Sequence, residues 1–180
     1  MRIIFSRKGF DSGSGGVPSP IIDGCPVSLP IPKTPQEPFR YTDIQHPRAG
    51  NLGDIVSDLT KERFTGASHA HYDPQLPWDT GVASLGQDGA AQSHLVNQGV
   101  SSGDLIVFFG LFKDYDAPKH NANSRPHHRI FGYLEIDRME VIGPKGATTR
   151  WRQMGLPRAH PTPSVATCTP DLDRNQHSMR

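Results

Sequence analysis

The sequence predicts an α+β domain in which a small mixed or barrel-like antiparallel sheet carries two or more helices and long loops. Three observations predict it. Glycine and proline number 18 and 17 in 180 residues, nearly a fifth of the chain, and so many breakers exclude a helical bundle or coiled coil. Apolar residues stand at 34% and charged residues at 21%, which supports a modest core and argues against wholesale disorder. Short strand-like runs and two helix-like runs alternate as far as residue 143, after which the hydrophobic periodicity stops. At roughly 100–200 residues per domain, the expectation is one domain over 1–143 and a tail over 144–180.

Taken in order, residues 2–6 (RIIFS) are β-branched and aromatic and read as a strand ended by RKG. DSGSGG (11–16) has the composition of an irregular loop. Five prolines between Pro26 and Pro38 predict an extended arm across the surface, with VSLPI (27–31) at most an edge strand. Residues 53–64 fit one helix, with Ile55, Val56, Leu59 and Phe64 near helical spacing and Asn51 as its cap. Glycines, prolines and polar residues over 65–86 predict a long loop. Asp88 can cap a second helix to about Gln98 that buries Ala91 and Leu95. The clearest strands follow at 104–112 (DLIVFFGLF) and 129–136 (RIFGYLEI), with 138–142 as a third. The segment joining the first two is too rich in Asn, Pro and His to be regular.

The charge is uneven. Residues 144–180 carry six Lys and Arg against Asp171 and Asp173, although the whole chain sums to +1. A basic end can serve as a nucleic-acid arm or be a solvated, disordered one. Two cysteines, Cys25 and Cys168, make neither a disulfide framework nor a cysteine zinc site. No apolar run approaches the roughly 18 residues of a membrane span. The start, MRIIFSRKGF, lacks a signal-peptide core, so a cytoplasmic protein with no membrane partner is expected.

Four segments can carry chemistry. In SRKGFDSGSGGVPSP, glycines permit a backbone whose amides converge on an anion, and Arg7 and Lys8 supply charge beside Asp11, Ser12 and Ser14. The alternative is a solvated turn; it is neither a Walker loop nor a dinucleotide fingerprint. In SHAHYDPQLPW, His69, His71 and Asp73 share a strand face and can hold a metal, His71 and Asp73 can form a base and its orienter, or Asp73-Pro74 is only a turn. In LGQDGAAQSHL, Gln87, Gln92 and His94 offer neutral donors and acceptors that suit a base edge. Gln92 and His94, two apart, face different directions on a helix. The bland reading is an amphipathic helix. Finally, Arg125, His127, His128 and Arg129 precede a strand near Phe108, Phe109, Phe131 and Tyr133. Most of these rings belong to the core, so a stacking site needs only one to be exposed.

The Gly103-Asp104 turn, apolar strand, polar loop and glycine-bearing return strand resemble the hairpin of PUA-like barrels such as the EVE, YTH and ASCH modules. In those modules a pocket beside the wall accepts an unstacked base. Taken together, RKGFDSGSGGVPSPI, SLPIP, HYDPQL, GQDGAAQSHL, GDLIVFFGLF and IFGYLEI resemble the nucleotide modification associated domain 3 family from about Met1 to Ile142. That family, found in bacteria and phages, is linked by genomic association to DNA base modification and hypermodification. It brings no established mechanism, catalytic residue or cofactor.

The resemblance implies a protein that recognises or acts on a modified base, in DNA or as a nucleotide. Arg7, Lys8, Ser12, Ser14, Gln87, Gln92, His128 and Arg129 are the candidate nucleotide-binding residues. The enzyme alternative uses Asp11, His71, Asp73 and His94 as acid, base or ligand; a third alternative is a protein-binding accessory of a modification or restriction system that docks through the 26–38 arm. The basic tail reads as disordered or frameshifted: His160 to Val165 (HPTPSV) fits a one-base deletion from HPHTIG.

Overall fold

The computed structural model describes residues 1–33, 39–71, 74, 76, 84–87 and 89–139. In chain order these form β1 (Ile3–Arg7), β2 (Ser19–Ile22), β3 (Cys25–Pro26), β4 (Ile31–Pro32), β5 (Phe39–Arg40), a 3₁₀ turn (Tyr41–Asp43), β6 (Gln45–His46), β7 (Gly50–Asn51) and α1 (Leu52–Thr60). Then come β8 (His69–His71), α2 (Gly89–Asn97), β9 (Leu105–Asp116), β10 (Lys119–His120) and β11 (His127–Glu135). The class is α+β as expected: two helices and mixed sheets. The sheets are not closed, so the barrel-like alternative is not realised. The reason lies in β9, which takes parallel partners, β1 and β2, along one edge where a meander would offer antiparallel ones.

β9 organises the domain. On its other edge β11 runs antiparallel from Phe112 back to Leu105. The Ile4, Ile106 and Leu134 side of this sheet packs with Val100, Phe108 and Ile136, under Leu85 and Leu95. A second cluster gathers Phe10, Val27, Leu29, Tyr41, Leu52, Val56 and Ala70 around α1 and the small sheet β4-β8-β5. Each fully buried Leu, Val or Phe contributes about 1.5–3 kcal/mol by leaving water.

The helix signals hold locally. The Asn51 side chain accepts from the Gly53 amide at 2.7 Å and caps α1. The helix stops at Thr60 rather than 64, because Lys61 and Glu62 turn left-handed and the Thr60 hydroxyl takes over the Phe64 amide at 3.0 Å. Phe64 then packs back on the core from outside the helix.

Other expectations need correcting. The first part of the proline arm does not lie on the surface: Val27 and Leu29 are fully buried, and the Leu29 amide donates to the Ser19 hydroxyl at 3.1 Å. Residues 34–38 of the arm are outside the described residues. Alternation, not the prolines, decides the burial of 27–30. The loop expected over 65–86 contains β8, paired with both β4 and β5. The polar joining segment is partly regular, since β9 continues to Asp116 and turns into β10. Ala91 is exposed where Leu95 of the same helix is half-buried. Asp88, residues 140–142 of the third strand and the 144–180 tail lie outside the described residues. Among those described, no helix is long and apolar enough to cross a membrane.

Candidate functional site

β1 ends at Arg7 and β2 begins at Ser19, yet both run parallel to β9 along the same edge, at Leu105–Phe109 and Phe112–Asp114. The RKGFDSGSGG segment is the excursion between them. It is anchored by Phe10, fully buried and edge-to-face with Tyr41 and Phe64 at 6.2 and 6.5 Å. Gly15 (φ +87°) passes so close to that ring that a Cβ would lie 2.3 Å from it. The Arg63 guanidinium donates to the Gly15 carbonyl.

Asp11 closes the loop. One carboxylate oxygen accepts from the Gly13 and Ser14 amides at 2.8 and 2.6 Å; the other faces Arg7 at 2.9 Å. The chain's own carboxylate therefore occupies these amides, and they do not converge on an external anion. Ser12 is exposed and Ser14 half-buried. The Lys8 main chain bonds Phe109 at 2.9 Å. Asp11 thus holds Arg7 at the end of β1.

The other end of β1 is fixed as firmly. The Asp104 carboxylate accepts from the Arg2 amide at 2.7 Å and the Ser101 amide at 3.0 Å. These two bonds hold its pKa below the ordinary carboxylate value, with the nearby Arg2 charge helping. The Arg2 guanidinium also donates to the Gly99 carbonyl, just past the end of α2. β1 and α2 are thereby tied together.

Between them lies a cleft of about 250 Å³ lined by Ile4, Phe5, Ser6, Arg7, Leu85, Gln87, Ala91, His94, Leu95 and Ile106. Bonds from Leu105 to the Arg2 carbonyl and from Lys8 to the Phe109 carbonyl set the alternation. Ile4 and Ser6 then bond inward to β9, and the amides and carbonyls of Phe5 and Arg7 face away from it, toward the outer edge of β1. The cleft wall offers a cation, an imidazole, an amide and main-chain groups of both polarities.

A second depression, about 280 Å³, lies on the opposite face of the sheet and is lined by Phe5, Phe109, His128, Arg129 and Ile130. Phe5 belongs to both, and the Phe5, Phe109 and His128 rings follow one another edge-to-face at 6.3 and 5.9 Å. Arg129 donates to His127 at 2.9 Å and to the Gly24 carbonyl at 3.1 Å.

The structure thus brings Arg7, Gln87 and His94 to one cleft, and His128 and Arg129 to the depression beside it. Gln92 is exposed and is not among the cleft's lining residues, as its two-residue offset from His94 requires. Of the acid–base set, the cleft takes only His94. Asp11 is engaged in its loop, His71 pairs with Ile31 in another sheet, and Asp73 lies outside the described residues. Among the described residues no three His, Cys, Asp or Glu side chains gather as a metal site. Sequence reasoning missed Phe5, which strand alternation alone leaves ambiguous, and the core role of Phe10.

No curated protein and no solved structure matches the chain. The nucleotide modification associated domain 3 family does, over residues 2–170, which includes β1, the Asp11 loop, α2 and all of β9 and β11 and runs on past Ile142. The chain belongs to the nucleotide modification associated domain 3 family.

Proposed function

We propose that the cleft between β1 and α2 binds a single nucleobase with its phosphate, as the recognition step of a nucleotide-modification process. The observation that carries this reading is that Arg7, Gln87 and His94 line one cleft with the backbone of β1. Arg7 meets the phosphate. The Gln87 amide and the His94 imidazole, with the outward main-chain groups of Phe5, meet the donor and acceptor pattern of a base. The volume fits one base: pockets for drug-sized ligands run about 300–1,000 Å³. Membership of a nucleotide-modification family supports the ligand class, and a modified base is the member of that class the reading favours.

The test is titration of ¹⁵N-labelled protein with nucleoside monophosphates, plain and modified. Shifts confined to Phe5, Arg7, Gln87 and His94, weakened about tenfold in His94→Ala, are expected, one lost hydrogen bond to a buried polar edge being worth roughly that factor. Shifts scattered away from these residues, or an affinity in both His94→Ala and Gln87→Ala equal to the parent's, would refute it.

A further inference from the structure

The face of the sheet opposite α2 carries large apolar side chains in the open. Register places Ile3, Phe5 and Arg7 of β1 beside Leu105, Val107 and Phe109 of β9, and those beside Glu135, Tyr133 and Ile130 of β11. Ile3, Phe5, Ile130 and Tyr133 are 55%, 64%, 60% and 49% exposed. Such a contiguous patch marks a contact surface.

The bulge in β11 builds it. Ile130 pairs with Phe109 and Gly132 with Phe108, so one extra residue, Phe131, stands between them. Phe131 turns to the other side, against Phe108 and Phe112 at 6.2 and 5.8 Å. Without the extra residue, regular alternation would put Ile130 and Tyr133 on opposite faces. The bulge keeps both in the open.

Charge chooses the occupant. At the end of this face where β1 finishes and β11 starts stand Arg7, in register with Phe109, and His128 and Arg129, which line the depression. Glu135 stands at the far end, across Leu105 from Ile3. Flat rings set about 10 Å apart across two strand spacings, with guanidinium groups along one rim, match the alternation of bases and phosphates in a single strand.

We propose that this open face binds single-stranded nucleic acid, stacking bases on Phe5 and Tyr133 and holding phosphates with Arg7, His128 and Arg129. It rests on the cleft reading above and extends it: Phe5 borders both surfaces, so a strand lying on the face delivers one base over the edge of β1 into the cleft while its neighbours stay stacked.

The experiment is fluorescence anisotropy of a labelled oligothymidylate with the full chain, at low and raised salt. Calorimetry of a nucleoside monophosphate runs in parallel. Tyr133 and Ile130 are exposed, so Tyr133→Ala and Ile130→Ser leave the core intact, with unchanged melting as the check. The expected result is a salt-weakened complex that loses about tenfold or more in Tyr133→Ala, with monophosphate binding in the cleft within about twofold of the parent. No oligonucleotide binding, or affinity within about twofold in both variants, overturns the proposal. So does a dimer in sedimentation that Tyr133→Ala dissociates, which assigns the face to a second copy. Monophosphate binding that is absent while oligonucleotide binding persists and responds to Tyr133→Ala refutes the cleft and leaves the face standing.

Discussion

Replacing Asp11 separates a structural carboxylate from a chemical one. Its two oxygens hold three partners: the Gly13 and Ser14 amides at 2.8 and 2.6 Å and the Arg7 guanidinium at 2.9 Å. Hydrogen bonds to a charged acceptor are worth about 1.5–3 kcal/mol net when shielded. The Ser14 bond is half-buried and the Gly13 amide exposed, so the first carries most of the energy. The Arg7 side chain is 49% exposed, which limits the ion pair to under about 1 kcal/mol. Asp11→Ala should therefore cost about 2–3 kcal/mol, read as a lowered urea midpoint. In Asp11→Asn the remaining carbonyl oxygen still accepts from both amides, so only the ion pair is lost, under about 1 kcal/mol. The amide resonances of Gly13 and Ser14 should stay in place in Asn and move in Ala. Equal destabilisation by the two variants would refute the turn-closing role. Loss of a chemical activity in Asn with stability intact would return Asp11 to the acid–base set.

Two further predictions follow from the same lobe. Gly15→Ala places a Cβ against the Phe10 ring at a positive φ, and should cost about 2–4 kcal/mol in thermal unfolding. An unchanged melting temperature would mean the loop does not pack on Phe10. Burial, then the neighbouring Arg48, lowers the His46 pKa from 6.5 to about 4, and its Nδ1 accepts from the Arg48 amide at 3.3 Å, which needs the neutral ring. The unfolded chain takes up that proton near pH 6.5 and the folded one only near 4, so stability should fall as pH drops through this window, by about 3 kcal/mol in all. Urea midpoints at several pH values check it, and the same slope in His46→Gln would refute it.

What was legible in the sequence is what periodicity and caps encode. β1, the paired strands β9 and β11, and α1 with its Asn51 cap stand where Ile3–Phe5, the DLIVFFGLF and RIFGYLEI runs and the Asn-Leu-Gly-Asp start indicate. The partners of β9 were not legible, because parallel pairing to two separate strands depends on contacts nearly a hundred residues apart. Nor was the bulge: Ile130-Phe131-Gly132-Tyr133 reads as plain alternation unless the β9 register is known. Phe10 looked like part of a solvated loop because glycines and serines surround it. It is buried by Tyr41 and Phe64, which no local pattern places there. Of the candidate site residues, Arg7, Gln87 and His94 line one cleft because Leu85 and Leu95 pack with Ile4 on the same cluster, whereas Asp11 is drawn away by a turn its own side chain closes.

That turn explains why the most distinctive motif of the chain sits where it does. β1 and β2 behave as one strand track along β9, interrupted between Arg7 and Ser19, while β9 advances only from Phe109 to Phe112. The intervening residues must leave the sheet and return almost to the point of departure. Departure needs Gly110, where a Cβ would stand 2.7 Å from the Lys8 carbonyl. Return is pinned by His120, whose ring nitrogens lie 3.0 Å from the Pro18 carbonyl and 3.2 Å from that of Asp114; burial lowers its pKa. A loop so closed at both ends can fix the side chain at its entrance. The entrance is Arg7, held by Asp11 at the mouth of the cleft and in register with Phe109 and Ile130 on the open face. The glycine-rich excursion therefore acts by positioning one guanidinium at the junction of two surfaces, and its amides, engaged by Asp11, are the means of holding it there.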